Sequence, residues 1–392
     1  MRMGFAEALR ALMAERGISV RELARRVPCD KGHVSRLRNG HTRPSVATAA
    51  RLDEILGAGG KLARLAAAEP VFNGAAGPEG AEHLTWTLDN PRRIDRAAVD
   101  VLAAVLAAQR RAEDVLGSAA MLGPVTAQLA AVSDLVTEAR GPVRPAVVGV
   151  AGQWAQFAGW LHASSKRESA AAGLYDRALE WAIEAADVNL VSEVVSMKGH
   201  LAWMAGKAGP VIGLSQTAQR DPSAFPGQHA ISAAQEARGH AMTGDAVAAE
   251  RALGRALAKA QDAAGQRGEA PPWLYYHSPA FFELQRGLVY RFLARDPRYY
   301  GQAVTALRAG HAGLPDDEKS SDWGAVFLYH LAAVHAERGE VEQACAVALD
   351  VVRIARQTGS VRLARMLAHL RAGLARRWPN DPAVAALAEA LR

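Results

Sequence analysis

The first part of the chain alternates short apolar patterns of helical spacing with turn signals. The patterns predict helices over residues 4–16, 20–27, 31–38, 46–56 and 60–68. Ser19 followed three residues later by Glu22 has the form of a helix-capping box, and Asn39-Gly40 is a turn signal. Because these helices are short and each has one apolar face, residues 1–68 are predicted to form a small helical bundle.

The pattern changes after residue 68. Residues 69–93 are rich in Pro, Gly and Asn, and we predict that they form a linker. From Ile94 onwards the helical spacing is almost continuous and no alternating strand pattern stands out. The predicted helices cover residues 94–117, 124–140, 144–163, 170–187, 190–206, 210–220, 228–243, 246–264, 279–294, 299–313, 322–338, 341–358, 360–377 and 381–391.

A degenerate repeat runs through the C-terminal part. A helix ends in a small turn, and the next helix begins with an acidic or small residue and continues into an Ala-Leu pair. Predicted turns at Gly206, Gly244, Arg295-Asp296 and Gly339 are separated by 38, 51 and 44 residues. These intervals are longer than the roughly 34 residues of a tetratricopeptide repeat, and the insertion GEAPPWLYYHSP lengthens one of them. The pattern favours an array of antiparallel helix pairs.

Composition supports an all-α globular protein. Half of the residues are hydrophobic, 22% are charged and only 6% are aromatic. Much of the apolar content is alanine, which favours closely packed helices. The two cysteines, Cys29 and Cys345, exclude a disulfide scaffold and a cysteine-ligated zinc cluster. The chain shows no secretory signal and no uncharged apolar stretch of membrane-spanning length, so we expect a cytoplasmic protein without a membrane partner.

The positive charge is concentrated at the N-terminus. The chain has 46 Lys and Arg against 40 Asp and Glu. Residues 1–64 contain 13 of the basic residues and 6 of the acidic ones, which leaves 33 against 34 for the remainder. A basic module on a neutral body suggests an anionic partner for the N-terminal part.

Two resemblances follow from specific motifs. The residues that carry the first resemblance, in the spacing of one known family, are Leu23-Ala24, Pro28-Cys29-Asp30, Val34-Ser35-Arg36, Gly40 and Pro44-Ser45. Through them the N-terminal part resembles a helix-turn-helix domain of the lambda-repressor-like, xenobiotic-response-element (XRE) type. The stretch LYDRALEWAIEAAD followed by GHLAWMAG is similar to the tetratricopeptide-type region of large actinobacterial regulators. The resemblance implies a helix-turn-helix domain over 1–68, a linker over 69–93, and an α-solenoid of tetratricopeptide-like hairpins over 94–392 for sensing or dimerisation.

The helix-turn-helix resemblance assigns DNA contacts by position. The third helix lies in the major groove, so Lys31, His33 and Arg36 would reach base edges, with Ser35 on the same helix. Phosphate contacts would come from Arg21, Asn39 and Arg43. This sequence departs from the family at Gly32, at Val20 and at Arg38, where side chains of other types are usual. The alternative for each basic residue is an ordinary solvated helix surface.

Aromatic residues mark a second candidate site. Trp154, Phe157, Trp160, Trp181 and Trp203 have spacings that favour packing between helices. Trp273, Tyr275, Tyr276, His277 and Phe281 lie in or beside the lengthened insertion, where ligand or partner contact and core packing both remain open.

No enzyme motif stands out, and no cofactor or metal is expected. HExxH, GxSxG and P-loop patterns are missing, and His330 and His335 are five residues apart, unlike a helical metal pair. The sequence favours a DNA-binding transcription regulator that acts as a homodimer on an inverted repeat in double-stranded DNA. Its repeat domain would bind a peptide, small-molecule or protein effector. The alternative is a protein-interaction scaffold in which DNA binding is secondary.

Overall fold

The computed structural model of the chain describes residues 5–27, 31–39, 46–62, 77–266 and 270–392. Within these ranges the regular structure is entirely helical, which confirms the predicted all-α class. The chain divides into two compact units. The first comprises residues 1–105 and 123–144, and the second comprises residues 106–122 and 145–392.

Four short helices open the first unit. They are α1 (Phe5–Glu15), α2 (Val20–Arg26), α3 (Lys31–Asn39) and α4 (Val46–Leu56). Their apolar faces form one core, in which Leu9, Leu23, Val34, Leu37 and Leu52 are fully buried. The Ser19 hydroxyl caps α2 by accepting a hydrogen bond from the Glu22 backbone nitrogen at 3.2 Å. The helix predicted over 60–68 extends beyond the described residues, which stop at Leu62.

The next helices differ from the predicted boundaries at two places. Helix α5 (Gly77–Asp89) lies inside the segment predicted as a linker, and its Leu84 is fully buried. Helix α6 (Arg96–Leu116) is followed by α7 (Ser118–Glu138), which begins six residues before the predicted start. Gly117 forms the turn with a φ of +78°, and α7 then continues through Pro124, whose missing N–H removes one helical hydrogen bond.

The second unit continues as a series of helices. These are α8 (Arg144–Ser164), α9 (Glu168–Glu184), α10 (Val188–Met204), α11 (Ala208–Ala218), α12 (Pro226–Met242), α13 (Ala246–Ala264), α14 (Pro279–Leu293), α15 (Pro297–Ala312), α16 (Asp316–Lys319), α17 (Asp322–Arg338), α18 (Val341–Thr358), α19 (Val361–Arg377) and α20 (Pro382–Ala390). Consecutive helices pack against each other in a repeat-like way, most extensively α12 with α13, α14 with α15 and α17 with α18. Gly206, Gly244 and Gly339 have φ between +71° and +84°, which confirms these three predicted repeat turns.

Small residues let the paired helices approach closely. At Gly310 on α15, a Cβ would lie 2.8 Å from the backbone nitrogen of Leu284 and 2.9 Å from the carbonyl oxygen of Ala280, both on α14. On α12, a Cβ at Gly239 would lie 2.7 Å from the Ile212 side chain. The alanine- and glycine-rich composition therefore produces the short distances between helices that it predicts.

Helix α7 is the one described helix with the length and apolar character needed to cross a membrane. It has 21 residues, a mean hydropathy of 1.4, and 44% of its apolar window is buried inside the protein. Interior helices of globular proteins have the same composition, so a single such helix is weak evidence for a membrane span.

Candidate functional site

The N-terminal bundle brings α2 and α3 together as a helix-turn-helix pair. Leu23 on α2 and Val34 and Leu37 on α3 are fully buried, which fixes the inner faces of both helices. Helix α1 also packs against α3, and a guanidinium nitrogen of Arg10 donates a hydrogen bond to the Arg38 carbonyl oxygen at 3.2 Å. With its inner face held by the core, α3 exposes Gly32, Arg38 and Asn39.

The predicted DNA-contacting residues fall into three groups. Arg21 is exposed in the first turn of α2, Asn39 is exposed at the end of α3, and Ser35 is half-buried in the middle of α3. Lys31, His33 and Arg36 belong to the helical backbone of α3, but their side chains lie outside the described part. Arg43 is also outside the described residues. The assignment of base and phosphate contacts thus remains a prediction.

Several cations of the bundle lack an acidic partner. Arg26 pairs with Glu22, and Arg51 pairs with Glu54 at 2.7 Å. Among the described residues, no carboxylate lies within 4 Å of the guanidinium groups of Arg21, Arg25 or Arg38. Arg21 lies in the first turn of α2 and its side chain is exposed. This arrangement suits phosphate contact.

The second unit contains a cavity of about 180 Å³. Four of the five predicted aromatic candidates line it, namely Trp273, Tyr275, Tyr276 and Phe281. The fifth, His277, stacks on Phe281 with ring centroids 5.0 Å apart and planes 12° apart. Burial lowers the pKa of His277 to about 3, so this imidazole is neutral at physiological pH.

Residues for which the spacing favoured packing also reach this cavity. Phe157, Trp160 and Trp203 line it together with the insertion aromatics. Trp154 is fully buried and Trp181 is 8% exposed, as expected for side chains between helices. The insertion and the earlier helices thus form one aromatic wall rather than two separate sets.

A chain of hydrogen bonds crosses the cavity lining. Trp273 Nε1 donates to Gln228 Oε1 at 3.1 Å, and Gln228 Nε2 donates to Glu193 Oε2 at 2.9 Å. The other carboxylate oxygen of Glu193 accepts from Gln156 Nε2 at 3.0 Å, and Gln156 Oε1 lies 3.4 Å from a guanidinium nitrogen of Arg110. This chain links the insertion to α6, α8, α10 and α12.

Two further buried arginines line the cavity. The Arg238 guanidinium lies 4.1 Å from the centre of the Trp203 ring and donates to Gln235 Oε1 at 2.9 Å. Arg362 pairs with Asp322 and lies 5.1 Å from the centre of the Trp160 ring. Both arginines are less than 10% exposed, and the Nε atom of each has no hydrogen-bond partner within the described ranges.

The acidic groups of the cavity have raised pKa values. Burial raises the pKa of Glu193 to about 7. Burial raises the pKa of Asp114 to about 7, although its carboxylate accepts a hydrogen bond from the Tyr275 hydroxyl at 2.6 Å. Burial also raises the pKa of Glu113, whose carboxylate accepts from the Ser118 hydroxyl. Near neutral pH these groups supply less negative charge than their number suggests.

Sequence reasoning identified the aromatic side of the cavity but not its ionisable residues. Glu193 lies in the apolar stretch VNLVSEVVSM and Arg238 in the small-residue stretch AAQEARGHA. A charged residue at a helix position that periodicity assigns to the core was the available signal. Among the described residues, no group of three or more His, Cys, Asp and Glu side chains is arranged to hold a metal ion.

Comparisons with known proteins bear on the N-terminal part of the chain. Residues 5–66, or 62 of the 392 residues, match the protein family described as a helix-turn-helix domain. A comparison with curated proteins found no match for the chain. Helix-turn-helix domains place the second helix of the two-helix motif, which corresponds to α3 here, in the DNA major groove. The matched residues contain α1 to α4, so this chain carries an N-terminal helix-turn-helix domain, which indicates a DNA-binding regulator.

Proposed function

We propose that this protein is a sequence-specific transcription regulator that binds double-stranded DNA as a homodimer on an inverted repeat. The observation that carries the proposal is the match of residues 5–66 to the helix-turn-helix family, on a segment with 13 basic and 6 acidic residues over 1–64. We also propose, from the resemblance given above, that the N-terminal domain is of the XRE type. The region 94–392 is a tetratricopeptide-like sensing domain of the actinobacterial type.

DNA contacts divide by role in this proposal. Arg36 and Lys31 donate to guanine edges, and His33 and Ser35 contact neighbouring groups in the major groove. Arg21, Asn39 and Arg43 hold phosphates and fix the position of the domain on the duplex. The exposed position of Arg21, without a carboxylate partner among the described residues, supports its share of this assignment.

Dimerisation is expected because one helix-turn-helix module reads only a few base pairs. Two modules on a symmetric site double the contacts and give an inverted-repeat operator. Sedimentation of the full chain at micromolar concentration tests this part of the proposal. A monomer under those conditions, with or without the selected DNA, would count against it.

Selection of DNA fragments from a random-sequence pool by the purified full-length protein is the principal test. We expect one recurring inverted repeat whose recovery survives competitor DNA, whereas incidental electrostatic binding disappears at modest salt. Enrichment of no sequence would instead favour the protein-interaction scaffold, with the helical repeat as its main binding surface.

Substitutions separate base reading from phosphate binding. We expect Arg36→Ala to relax base preference and to cost roughly 1–3 kcal/mol of binding free energy on the selected site. We expect Arg43→Ala to weaken binding to all sequences about equally and to reduce the salt slope by about one. Arg51→Ala is the matched control, because Arg51 is already paired with Glu54 on α4. Unchanged affinity and preference in Arg36→Ala would refute the groove assignment.

A further inference from the structure

The guanidinium of Arg238 is a buried charge for which the described part of the chain supplies no acidic partner. Arg238 is 4% exposed, and no carboxylate within the described ranges lies within 4 Å of it. It contacts the Gln235 amide oxygen and the face of Trp203, while its Nε has no hydrogen-bond partner among the residues that the structure describes. Burial of an unpaired charge costs several kcal/mol, so a fold retains one where something else compensates it.

Each of the two other arginines that line the cavity has an acidic group that offsets its buried charge. Arg362 is balanced by an ion pair with Asp322. Arg110 has no carboxylate within 4 Å in the part that the structure describes, but Glu193 is near enough to act on it electrostatically. For Arg238, burial lowers the pKa to about 9, and within the described ranges no acidic group raises it again. Arg238 is therefore the cavity arginine with the least compensation.

Neighbouring groups extend this positive, hydrogen-bonding end of the cavity. The Nε2 atom of His200 is buried and has no hydrogen-bond partner in the described part of the chain, and its ring centroid lies 5.0 Å from that of Trp203. Burial and the charges of Arg238 and Arg362 hold the pKa of His200 well below its usual value. A neutral imidazole with a free ring nitrogen and a guanidinium with a free Nε thus lie at the same end.

The remainder of the cavity suits an apolar group of limited size. Its walls include Trp160, Trp203, Trp273, Tyr276 and Phe281. A dry protein cavity of roughly 150 Å³ accepts a benzene ring, and this cavity measures about 180 Å³. This volume is sufficient for one substituted ring or a short alkyl chain.

We propose that this cavity binds a small organic acid, whose carboxylate pairs with the guanidinium of Arg238 and whose apolar body lies between the aromatic side chains. Arginine is suited to this role because its fork of N–H donors matches the geometry of a carboxylate. The inference rests on the proposed effector-binding function and names the chemical class of the effector.

Direct binding measurements on the full-length protein test the inference. The probes are benzoate, phenylacetate and hexanoate, each compared with its neutral amide, and the readouts are thermal stabilisation and quenching of tryptophan fluorescence. We expect at least one acid to raise the Tm and to quench Trp203 and its neighbours, with its amide having little effect. Equal responses to acids and amides, or no response to any acid, would overturn the inference.

Substitution at Arg238 distinguishes a ligand contact from a structural one. We expect Arg238→Met to keep or raise the Tm without ligand, because an apolar side chain replaces an unpaired buried charge. We expect the same variant to bind the acid about tenfold to a hundredfold more weakly, as for loss of a charge-assisted hydrogen bond. A lower Tm with unchanged acid affinity would assign Arg238 to the fold alone.

Two further variants complete the test. Arg177→Met is the matched control, since Arg177 also lies over a tryptophan, at 5.4 Å from the Trp181 ring, but is exposed and outside the cavity. It should respond to the acids like the original protein. Should Arg238→Met fail to fold, Gln235→Glu places a carboxylate beside Arg238 and should abolish the acid response while leaving the charge of Arg238 in place.

The DNA selection described above separates this inference from the proposed function. Acid binding without any selected DNA site would refute the regulator and leave the cavity ligand standing. A selected inverted repeat without any acid response would refute the cavity ligand and leave the regulator standing.

Discussion

Substitution of Glu193 by glutamine tests whether this buried, hydrogen-bonded carboxyl group retains its proton in the folded protein up to near-neutral pH. Glu193 is 6% exposed and accepts hydrogen bonds from Gln156 and Gln228. Burial raises the pKa of its carboxyl from 4.5 to about 7. Glu193→Gln cannot ionise, so the change in its stability between two pH values isolates the cost of the charge, although its amide NH2 faces the NH2 of Gln156 or Gln228 at any pH.

The size and sign of the effect follow from the two pKa values. Between about pH 4.5 and pH 7 the unfolded chain releases this proton while the folded protein retains it, so the folded state loses stability as the pH rises. At 1.36 kcal/mol for each pH unit between the two values, the full loss is on the order of 3 kcal/mol. Because part of this loss has already occurred at pH 5, about 2–3 kcal/mol falls between pH 5 and pH 8.

Urea unfolding followed by tryptophan fluorescence measures this difference. The chain has eight tryptophans, and all except Trp86 lie in the second unit, so the signal reports mainly on that unit. We expect Glu193→Gln to gain about 2–3 kcal/mol relative to the original protein on going from pH 5 to pH 8. Glu180→Gln, at a side chain that is 72% exposed, is the control and should show no such gain. Equal pH dependence in both variants would refute a buried, proton-retaining Glu193.

Packing and ion pairing in the second unit give two further predictions. Gly310→Ala places a Cβ 2.8 Å from the Leu284 backbone nitrogen and should lower the free energy of unfolding by about 1–3 kcal/mol. Gly301→Ala is the control on the same helix. Because nothing lies within 4 Å of its Cβ, it should leave the free energy of unfolding unchanged or raise it slightly. Equal costs in urea unfolding would contradict the close helix contact. Asp322→Asn leaves the buried Arg362 unpaired and should lower the free energy of unfolding by about 3–5 kcal/mol. Asp350→Asn removes an exposed pair, in which Asp350 lies 3.1 Å from Arg353, and should lower it by under about 1 kcal/mol. A cost at Asp322 as small as that at Asp350 would show that the buried pair does not stabilise the fold.

Sequence periodicity predicted the helical architecture because local signals and packing agree along most of the chain. The helices predicted over 246–264, 322–338 and 341–358 coincide with α13, α17 and α18 at both ends. The exceptions have local causes. Pro124 suggested a helix start, but the turn at Gly117 and the tolerated loss of one hydrogen bond allow α7 to begin earlier. The Gly- and Pro-rich start of residues 69–93 outweighed the helical i, i+4 pair Leu84 and Leu88, which lies in α5.

The candidate cavity could be predicted only in part. The aromatic residues of the insertion stood out because loop residues of that size are unusual next to two prolines. Arg110, Glu193 and Arg238 did not stand out, because helical spacing shows that a position faces the core but not which distant helices meet there. Gln228 and Trp273 are 45 residues apart in the chain, and their hydrogen bond exists only in the folded unit.

The cavity is also where the second unit departs most from the rules that the rest of it follows. Elsewhere its helices bury mainly alanine, valine and leucine, with a few partnered polar residues such as Glu236, which pairs with Arg255. Around the cavity the same helices bury arginine and glutamate, although well-packed apolar residues of similar volume are often at least as stabilising. A departure from local consistency that contributes no stability is typical of functional sites. Under the proposal that the cavity binds an organic acid, Arg238 serves binding rather than folding, and its replacement by methionine separates these two explanations.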